Sequence, residues 1–269
     1  MSPILTDYLT DYTIVSVSGD FPVSRLQWVP AVLYCTIVRF CSSSWFIRES
    51  IAVMKIFRIT EQDKKALCRQ APEFRQIVRQ ADLKSFECSA DLFLALVQSI
   101  VSQQLSVKVA DVIFQRVETL LKKITAKNLL AADPEALRGC GLSGRKIEYL
   151  RGIAEAQLDG TIDFKTLSGK PDAEIIQELV KLKGVGVWTA EMLLIFSLGR
   201  PDILSYKDLG IRRGIMMLNG LSDLPETEFE TYRKRYSPYG TLASLYLWRI
   251  KDGGLTVKPA AAKPGRKKK

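Results

Sequence analysis

The chain has 269 residues, 47% of them hydrophobic and 25% charged, with a formal net charge of +10. That length supports a real core in one or two domains, and the positive balance favours an anionic partner such as nucleic acid or an acidic membrane surface. The absence of histidine excludes His-based triads, His-ligated metals and His general bases in one step. Five scattered cysteines (Cys35, Cys41, Cys68, Cys88, Cys140) lack the close pairs of zinc or iron–sulfur ligation and read as reduced thiols of an intracellular protein.

Residues 1–53 carry three basic side chains (Arg25, Arg39, Arg48) and four acidic ones, so the rest of the chain holds a net +11. Their apolar run Val29–Val38 is too short to span a bilayer and contains Pro30. No basic n-region opens the chain, so a secretory signal is not expected. We read residues 1–53 as a poorly ordered extension or an upstream misassigned start, because Met54 opens a segment of different character. Strand signals are weak outside residues 12–40, and no repeat of solenoid period is present.

From about residue 60 onward the pattern is helical. Ser89 is placed to cap a helix whose Phe93, Leu96, Val97, Ile100 and Val101 follow the i, i+3, i+4, i+7, i+8 pattern. Ser102-Gln-Gln-Leu-Ser106 interrupts it, and Ser106 opens a second helix with Ala110, Ile113, Val117, Leu120 and Leu121 inward. Asp133-Pro134 is a cap followed by proline at the first helical position. Gly139-Cys-Gly-Leu-Ser-Gly144 is a turn leading into a helix through Leu150 and Ile153. Asp172 then caps a helix with Ile175, Ile176, Leu179 and Leu182 inward. After the turn Gly184-Val-Gly186 an apolar helix runs from Val187 to Leu198, stopped by Gly199-Arg-Pro201. Another helix begins near Asp208 and reaches Leu218. The last starts at Ser237-Pro238 and carries Tyr239, Tyr246 and Trp248. The tail from residue 256 to 269 is rich in Pro, Ala and Lys, hence disordered and basic.

Two features carry chemistry. Glycines at 184 and 186 tolerate positive φ and admit a partner's backbone closely. The helix after them offers unpaired N–H groups and a positive dipole end, suited to a phosphate oxygen. A helix-hairpin-helix grips the sugar–phosphate backbone in this way without reading sequence, although the same glycines also suit a plain interhelical turn. The second feature is Asp208, a carboxylate inside the basic stretch Ser205-Tyr-Lys-Asp-Leu-Gly-Ile-Arg-Arg-Gly214. It caps the helix that follows it, serves a reaction that builds positive charge, or does both.

Five segments in order resemble the helix-hairpin-helix DNA glycosylase superfamily, within it the 3-methyladenine DNA glycosylase II type. They are Ile100-Val-Ser-Gln-Gln-Leu-Ser-Val-Lys-Val-Ala110, Leu137-Arg-Gly-Cys-Gly-Leu-Ser-Gly-Arg-Lys146, Leu182-Lys-Gly-Val-Gly-Val-Trp-Thr-Ala190, Asp208-Leu-Gly-Ile-Arg-Arg213 and Tyr236-Ser-Pro-Tyr-Gly-Thr-Leu-Ala-Ser-Leu-Tyr-Leu-Trp-Arg249. The resemblance spans roughly residues 60–250. It implies an all-α, two-lobed glycosylase over residues 54–255, with one lobe at 86–200, the other at 54–85 plus 205–255, and a cleft between.

The resemblance also implies roles. Asp208 stands at the catalytic aspartate, where a carboxylate stabilises the growing charge of an oxocarbenium-like sugar. Trp188 stands where strand-cutting relatives carry a Schiff-base lysine, which implies a monofunctional enzyme; an aromatic there stacks on the flipped base. Met192 and Tyr239 complete the base pocket. Gln103, Gln104 and Leu105 form the wedge loop that fills the gap left by a flipped base, with Gln104 or Leu105 entering the duplex. Lys183, Gly184, Val185, Gly186, Lys207, Arg212, Arg213, Gly144 and Lys146 are placed at the DNA backbone. Gly240 departs from the family pattern, where Arg is common, and Leu245 stands where an aromatic is common.

The implied partner is double-stranded DNA with damaged bases, met by an intracellular monomer without membrane attachment. No cofactor and no catalytic metal are implied, although the family's hairpin sometimes holds a monovalent cation on backbone carbonyls. Two rival readings stand beside this one. The first is a bifunctional oxidised-base glycosylase and lyase, for which Lys207 is the one amine beside Asp208. The second is a non-catalytic helix-hairpin-helix DNA-binding protein.

Overall fold

A computed structural model of the chain describes residues 55–251 and 253–257. The expectations for residues 1–53 and for the tail beyond residue 257 lie outside the described residues.

Thirteen α-helices dominate the described residues, as an all-α reading requires. Two short strands accompany them, β1 (Ile56–Phe57) and β2 (Phe86–Glu87), paired antiparallel. Between the strands run α1 (Glu61–Gln70), a 3-10 turn at Pro72–Phe74 and α2 (Arg75–Val78). Next come α3 (Leu92–Ser102), α4 (Val107–Leu121), α5 (Ala126–Ala131), α6 (Pro134–Gly139) and α7 (Gly144–Leu158). They are followed by α8 (Phe164–Leu167), α9 (Asp172–Leu179) and α10 (Val187–Phe196). The chain then forms α11 (Leu209–Asn219), α12 (Glu226–Tyr236) and α13 (Gly240–Lys251).

Packing sorts these helices into two groups. Helix α3 packs on α4, α7, α8 and α10, while α5 and α6 lie on α7 and α9 on α10. Helices α11 and α13 form the closest pair of the other group, which α12 joins through α13 and which recruits α1 and α2 from the start of the described chain. The β-ribbon ties the groups together. Phe57 stacks on Phe86 at 5.0 Å between ring centroids, Phe86 meets Phe196 at 5.5 Å, and Phe196 stacks on Trp248 at 5.8 Å. One continuous apolar core runs through both groups.

Local chemistry explains most helix starts. Thr60 and Asp63 form a reciprocal capping box on α1, with both backbone N–H bonds at 3.1 Å. Asp133 caps α6 with Pro134 in its first turn, where sequence places it, and Ser143 caps α7 at the end of the expected turn. Four expectations need correction. Asp91, not Ser89, caps α3, accepting from the Leu94 N–H at 3.0 Å; its shorter reach to the third helical amide wins. Asp172 lies inside the first turn of α9, where Pro171 is the cap residue, and its carboxylate pairs with Arg200 at 2.9 Å. The apolar helix after the glycine turn ends at Phe196, and Gly199 then turns the chain at φ +57°. The final aromatic helix begins at Gly240 rather than Ser237, because a separate helix, α12, occupies Glu226–Tyr236.

The inward face of α4 also differs by one phase. Ala110, Ile113, Val117 and Leu121 are buried as expected, but Leu120 is 40% exposed and Phe114, at 5%, takes its place in the core. The buried stripe of α4 runs through 110, 113, 114, 117 and 121, which leaves Leu120 at its edge.

Candidate active site and DNA interface

The turn Gly184–Gly186 joins α9 to α10. Gly184 has φ +83°, and a Cβ there would lie 2.3 Å from Cδ2 of Tyr149, so both the conformation and the space demand glycine. Gly186 differs: it has φ −94° and opens α10 as its N-cap without a side-chain hydrogen bond. A Cβ at 186 would meet nothing within 4 Å. Nothing inside the chain therefore calls for glycine at 186, whereas a partner backbone approaching the uncapped N-terminus of α10 would. Val185 points its side chain into the core and donates its N–H to the Leu182 carbonyl at 3.1 Å, so its amide is used within the turn.

Asp208 is the N-cap of α11 and is 8% exposed. Its Oδ1 accepts from the Ile211 N–H at 2.8 Å and from Nε1 of Trp248 at 3.1 Å, while its Oδ2 accepts from Nε1 of Trp188 at 2.8 Å. One carboxylate thus caps α11 and also accepts from two indoles, of α10 and α13. Trp188 is only half-buried, so part of its ring stays accessible while its N–H holds Asp208. Met192, one turn further along α10, is buried in the core, and Tyr239 is partly buried just ahead of α13.

The loop after α3 reaches the turn, and the start of α7 reaches that loop. Nε2 of Gln103 donates to the Gly184 carbonyl at 2.9 Å. Nζ of Lys146 donates to the carbonyls of Val101 and Gln103 at 2.7 and 2.8 Å, and burial lowers the pKa of its ammonium. Gln103 thus ties the 103–105 loop to the hairpin, and Lys146 ties the same loop to the first turn of α7. At the tip, Gln104 is exposed in a left-handed conformation, φ +59°, and Leu105 packs partly against the core.

Other residues expected at the DNA backbone flank the turn, Asp208 and the start of α7 in sequence. Lys183 is exposed and pairs with Glu148 at 3.0 Å. Arg212 and Lys207 both lie over the Tyr206 ring, 4.8 and 5.5 Å from its centroid. Arg213 and Gly144 are exposed. Sequence reasoning missed Trp248 and Tyr149 as parts of this site. Gly240, the departure from the family pattern, also finds its reason here. Its N–H donates to Asp202 Oδ1 at 3.0 Å, and a Cβ would stand 2.8 Å from that oxygen. Among the described residues no group of three or more His, Cys, Asp or Glu side chains is gathered as metal ligands.

A glycine hairpin between helices, set beside a carboxylate clamped by two indoles, defines a helix-hairpin-helix protein. Residues 97–238 match the model of the HhH-GPD superfamily base excision DNA repair protein, and the chain belongs to that family. It is 36% identical over 173 residues to DNA-3-methyladenine glycosylase 1 of Schizosaccharomyces pombe, a match covering 62% of this chain and 76% of that one. A solved DNA-3-methyladenine glycosidase from Bacillus halodurans superposes with a TM-score of 0.64 at 37% identity, covering 74% of this chain and 93% of that one. A 3-methyladenine DNA glycosylase of Schizosaccharomyces pombe, solved in complex with abasic DNA, gives a TM-score of 0.63 at 30% identity and covers 71% and 97%.

Proposed function

We propose that this protein hydrolyses the N-glycosidic bond of alkylated purines, of the 3-methyladenine and 7-methylguanine type, in double-stranded DNA. It does so as a monofunctional enzyme of base excision repair. The observation that carries the proposal is the 2.8 Å bond from Trp188 Nε1 to Asp208 Oδ2. Every partner of the Asp208 carboxylate is an N–H donor, so it meets them as an acceptor and acts through its charge.

An alkylated purine is already cationic and needs little help to leave. As the bond from C1′ to the base nitrogen breaks, its electron pair departs with the base and the sugar becomes oxocarbenium-like. Asp208 stabilises that charge in a water-poor setting. Water then bonds to C1′ and gives its proton to solvent, leaving an abasic site. The indole face of Trp188 stacks on the extruded cationic base, with Met192 and Tyr239 as further pocket walls. Gln104, exposed at the loop tip, enters the duplex. Gly184–Gly186 and the first turns of α7 and α11 hold the strand, with Lys183, Lys207, Arg212 and Arg213 adding salt-dependent attraction. A monovalent cation on the turn would use the second lone pairs of the Leu182 and Gly184 oxygens and would add to that attraction. No step of base release runs through it.

Repair of DNA places the enzyme inside the cell, and we read it as a monomer. Among the described residues no helix is long and apolar enough to cross a membrane. A methylated duplex incubated with the protein tests this reading. Free methylated purine should appear, the strand should stay intact until alkali is added, and borohydride should trap no covalent adduct. A trapped adduct would assign lyase chemistry, with Lys207 the first amine to replace. No released base would leave a DNA-binding protein without catalysis.

A further inference from the structure

Glu191 is the one charged residue of helix α10; it is 8% exposed and the chemistry above does not use it. A buried carboxyl is costly unless something occupies it. Ser205, with no exposed surface, donates its hydroxyl to Oε2 of Glu191. Burial raises the Glu191 pKa above the ordinary glutamate value, an effect to which the Asp208 charge adds and which the Ser205 bond and the Arg233 charge oppose.

Segment 203–208 leads into Asp208 and is anchored almost residue by residue. The Ile203 N–H donates to Thr241 Oγ1 at 3.1 Å, and Ser244 Oγ donates to the Ile203 carbonyl at 2.8 Å. Arg233 donates to the Leu204 carbonyl from Nε at 3.1 Å and from Nη2 at 3.0 Å. Those bonds tie the segment to α12 and α13, within its own group of helices. The bond from Ser205 to Glu191 instead crosses to α10, the helix of Trp188. On α10, Trp188 and Glu191 are three residues apart and share a face; on the segment, Ser205 and Asp208 are also three apart, with the Asp208 N–H directed at the Ser205 carbonyl at 3.4 Å. Two parallel struts therefore join the two groups of helices, Trp188 to Asp208 and Glu191 to Ser205.

We propose that Glu191, through Ser205, is a positioning residue that sets Asp208 in register with Trp188. Its consequence for catalysis rests on the role of Asp208 proposed above. A carboxyl that served only to fill space would be replaceable by an apolar side chain of the same length, whereas a strut needs an acceptor at that point.

The test compares Glu191→Gln, which keeps an acceptor, with Glu191→Met and Ser205→Ala, which remove one end of the strut. Two readouts are taken on the full chain. One is the indole N–H resonances of ¹⁵N-tryptophan-labelled protein, assigned with Trp188→Phe and Trp248→Phe. The other is single-turnover release of base from methylated DNA, beside affinity for abasic DNA. Glu191→Met and Ser205→Ala should shift the Trp188 resonance and slow release by about tenfold or more, with abasic-DNA affinity within about twofold of wild type. Glu191→Gln should retain both the resonance and the rate. An unmoved Trp188 resonance in Ser205→Ala, or a rate loss matched by an equal loss of affinity, overturns the proposal. Ser205→Ala decides the matter if Glu191→Met does not fold. If wild type releases no base, the catalytic reading fails, and the indole resonances still decide whether the strut exists.

Discussion

Asp208→Asn should lower base release by about a hundred- to a thousandfold, the range seen when one preorganised electrostatic contact is removed from a transition state. DNA binding should stay within about threefold. The structure makes this substitution unusually informative, because Asp208 has two jobs that asparagine separates. As a cap, asparagine serves about as well as aspartate, so the 2.8 Å bond from the Ile211 N–H survives. As a charge, asparagine supplies nothing to an oxocarbenium-like sugar. Its amide can offer only one oxygen to the two indole donors, now 3.1 and 2.8 Å from separate oxygens, so one indole loses its acceptor. A thermal melt would register that loss as a modest drop. Single-turnover release measured beside equilibrium binding to methylated DNA checks the outcome. A variant that releases base at more than a tenth of the wild-type rate would reduce Asp208 to a helix cap.

Much of this arrangement is legible in the sequence. Phe93, Leu96, Val97, Ile100 and Val101 are all buried in α3 as their spacing predicts, although the helix is buried almost all round, Gln98, Ser99 and Ser102 included. Asp208 and Trp188 stood out because each sits inside a short motif whose neighbours have fixed chain spacing. Their meeting at 2.8 Å is a tertiary fact that spacing does not contain. Trp248 was harder still. It arrives forty residues after Asp208, on a helix whose Tyr246 is equally aromatic and fully buried, and nothing local tells a clamp from core filler.

Basic residues are hard to sort from sequence for a related reason. Lys146 and Lys183 look alike in sequence, but one ammonium is spent on the carbonyls of Val101 and Gln103 and the other is exposed beside Glu148. Electrostatic attraction to DNA depends on which ammonium groups remain in solvent, and burial decides that. Helix α12 escaped notice because it is mostly charged. Of its residues only Phe229 and Tyr236 are buried, which is two turns apart and too sparse to mark a 3.6-residue period.

Gly184→Ala and Gly186→Ala should behave oppositely, although they alter neighbouring positions of the same turn. At 184 the backbone sits at φ +83° and a Cβ would fall 2.3 Å from Tyr149. The ring is partly buried against the core and cannot simply swing away. Left-handed strain and overpacking add, so we expect a loss of about 2–4 kcal/mol in folding stability, seen as a lower denaturant midpoint with an unchanged slope. The turn also presents its carbonyl to Gln103 at 2.9 Å, so the wedge loop should loosen with it. At 186 the backbone conformation suits any residue and the space is open. Gly186→Ala should therefore fold with stability within about 0.5 kcal/mol of wild type. Its methyl group would instead stand where a phosphate must approach the amides of α10, so DNA affinity should fall by about tenfold. Denaturation curves together with DNA titrations at one fixed salt concentration separate the two effects. Wild-type DNA affinity in Gly186→Ala would mean that the turn does not grip the strand, and the DNA would have to be held elsewhere on the basic face.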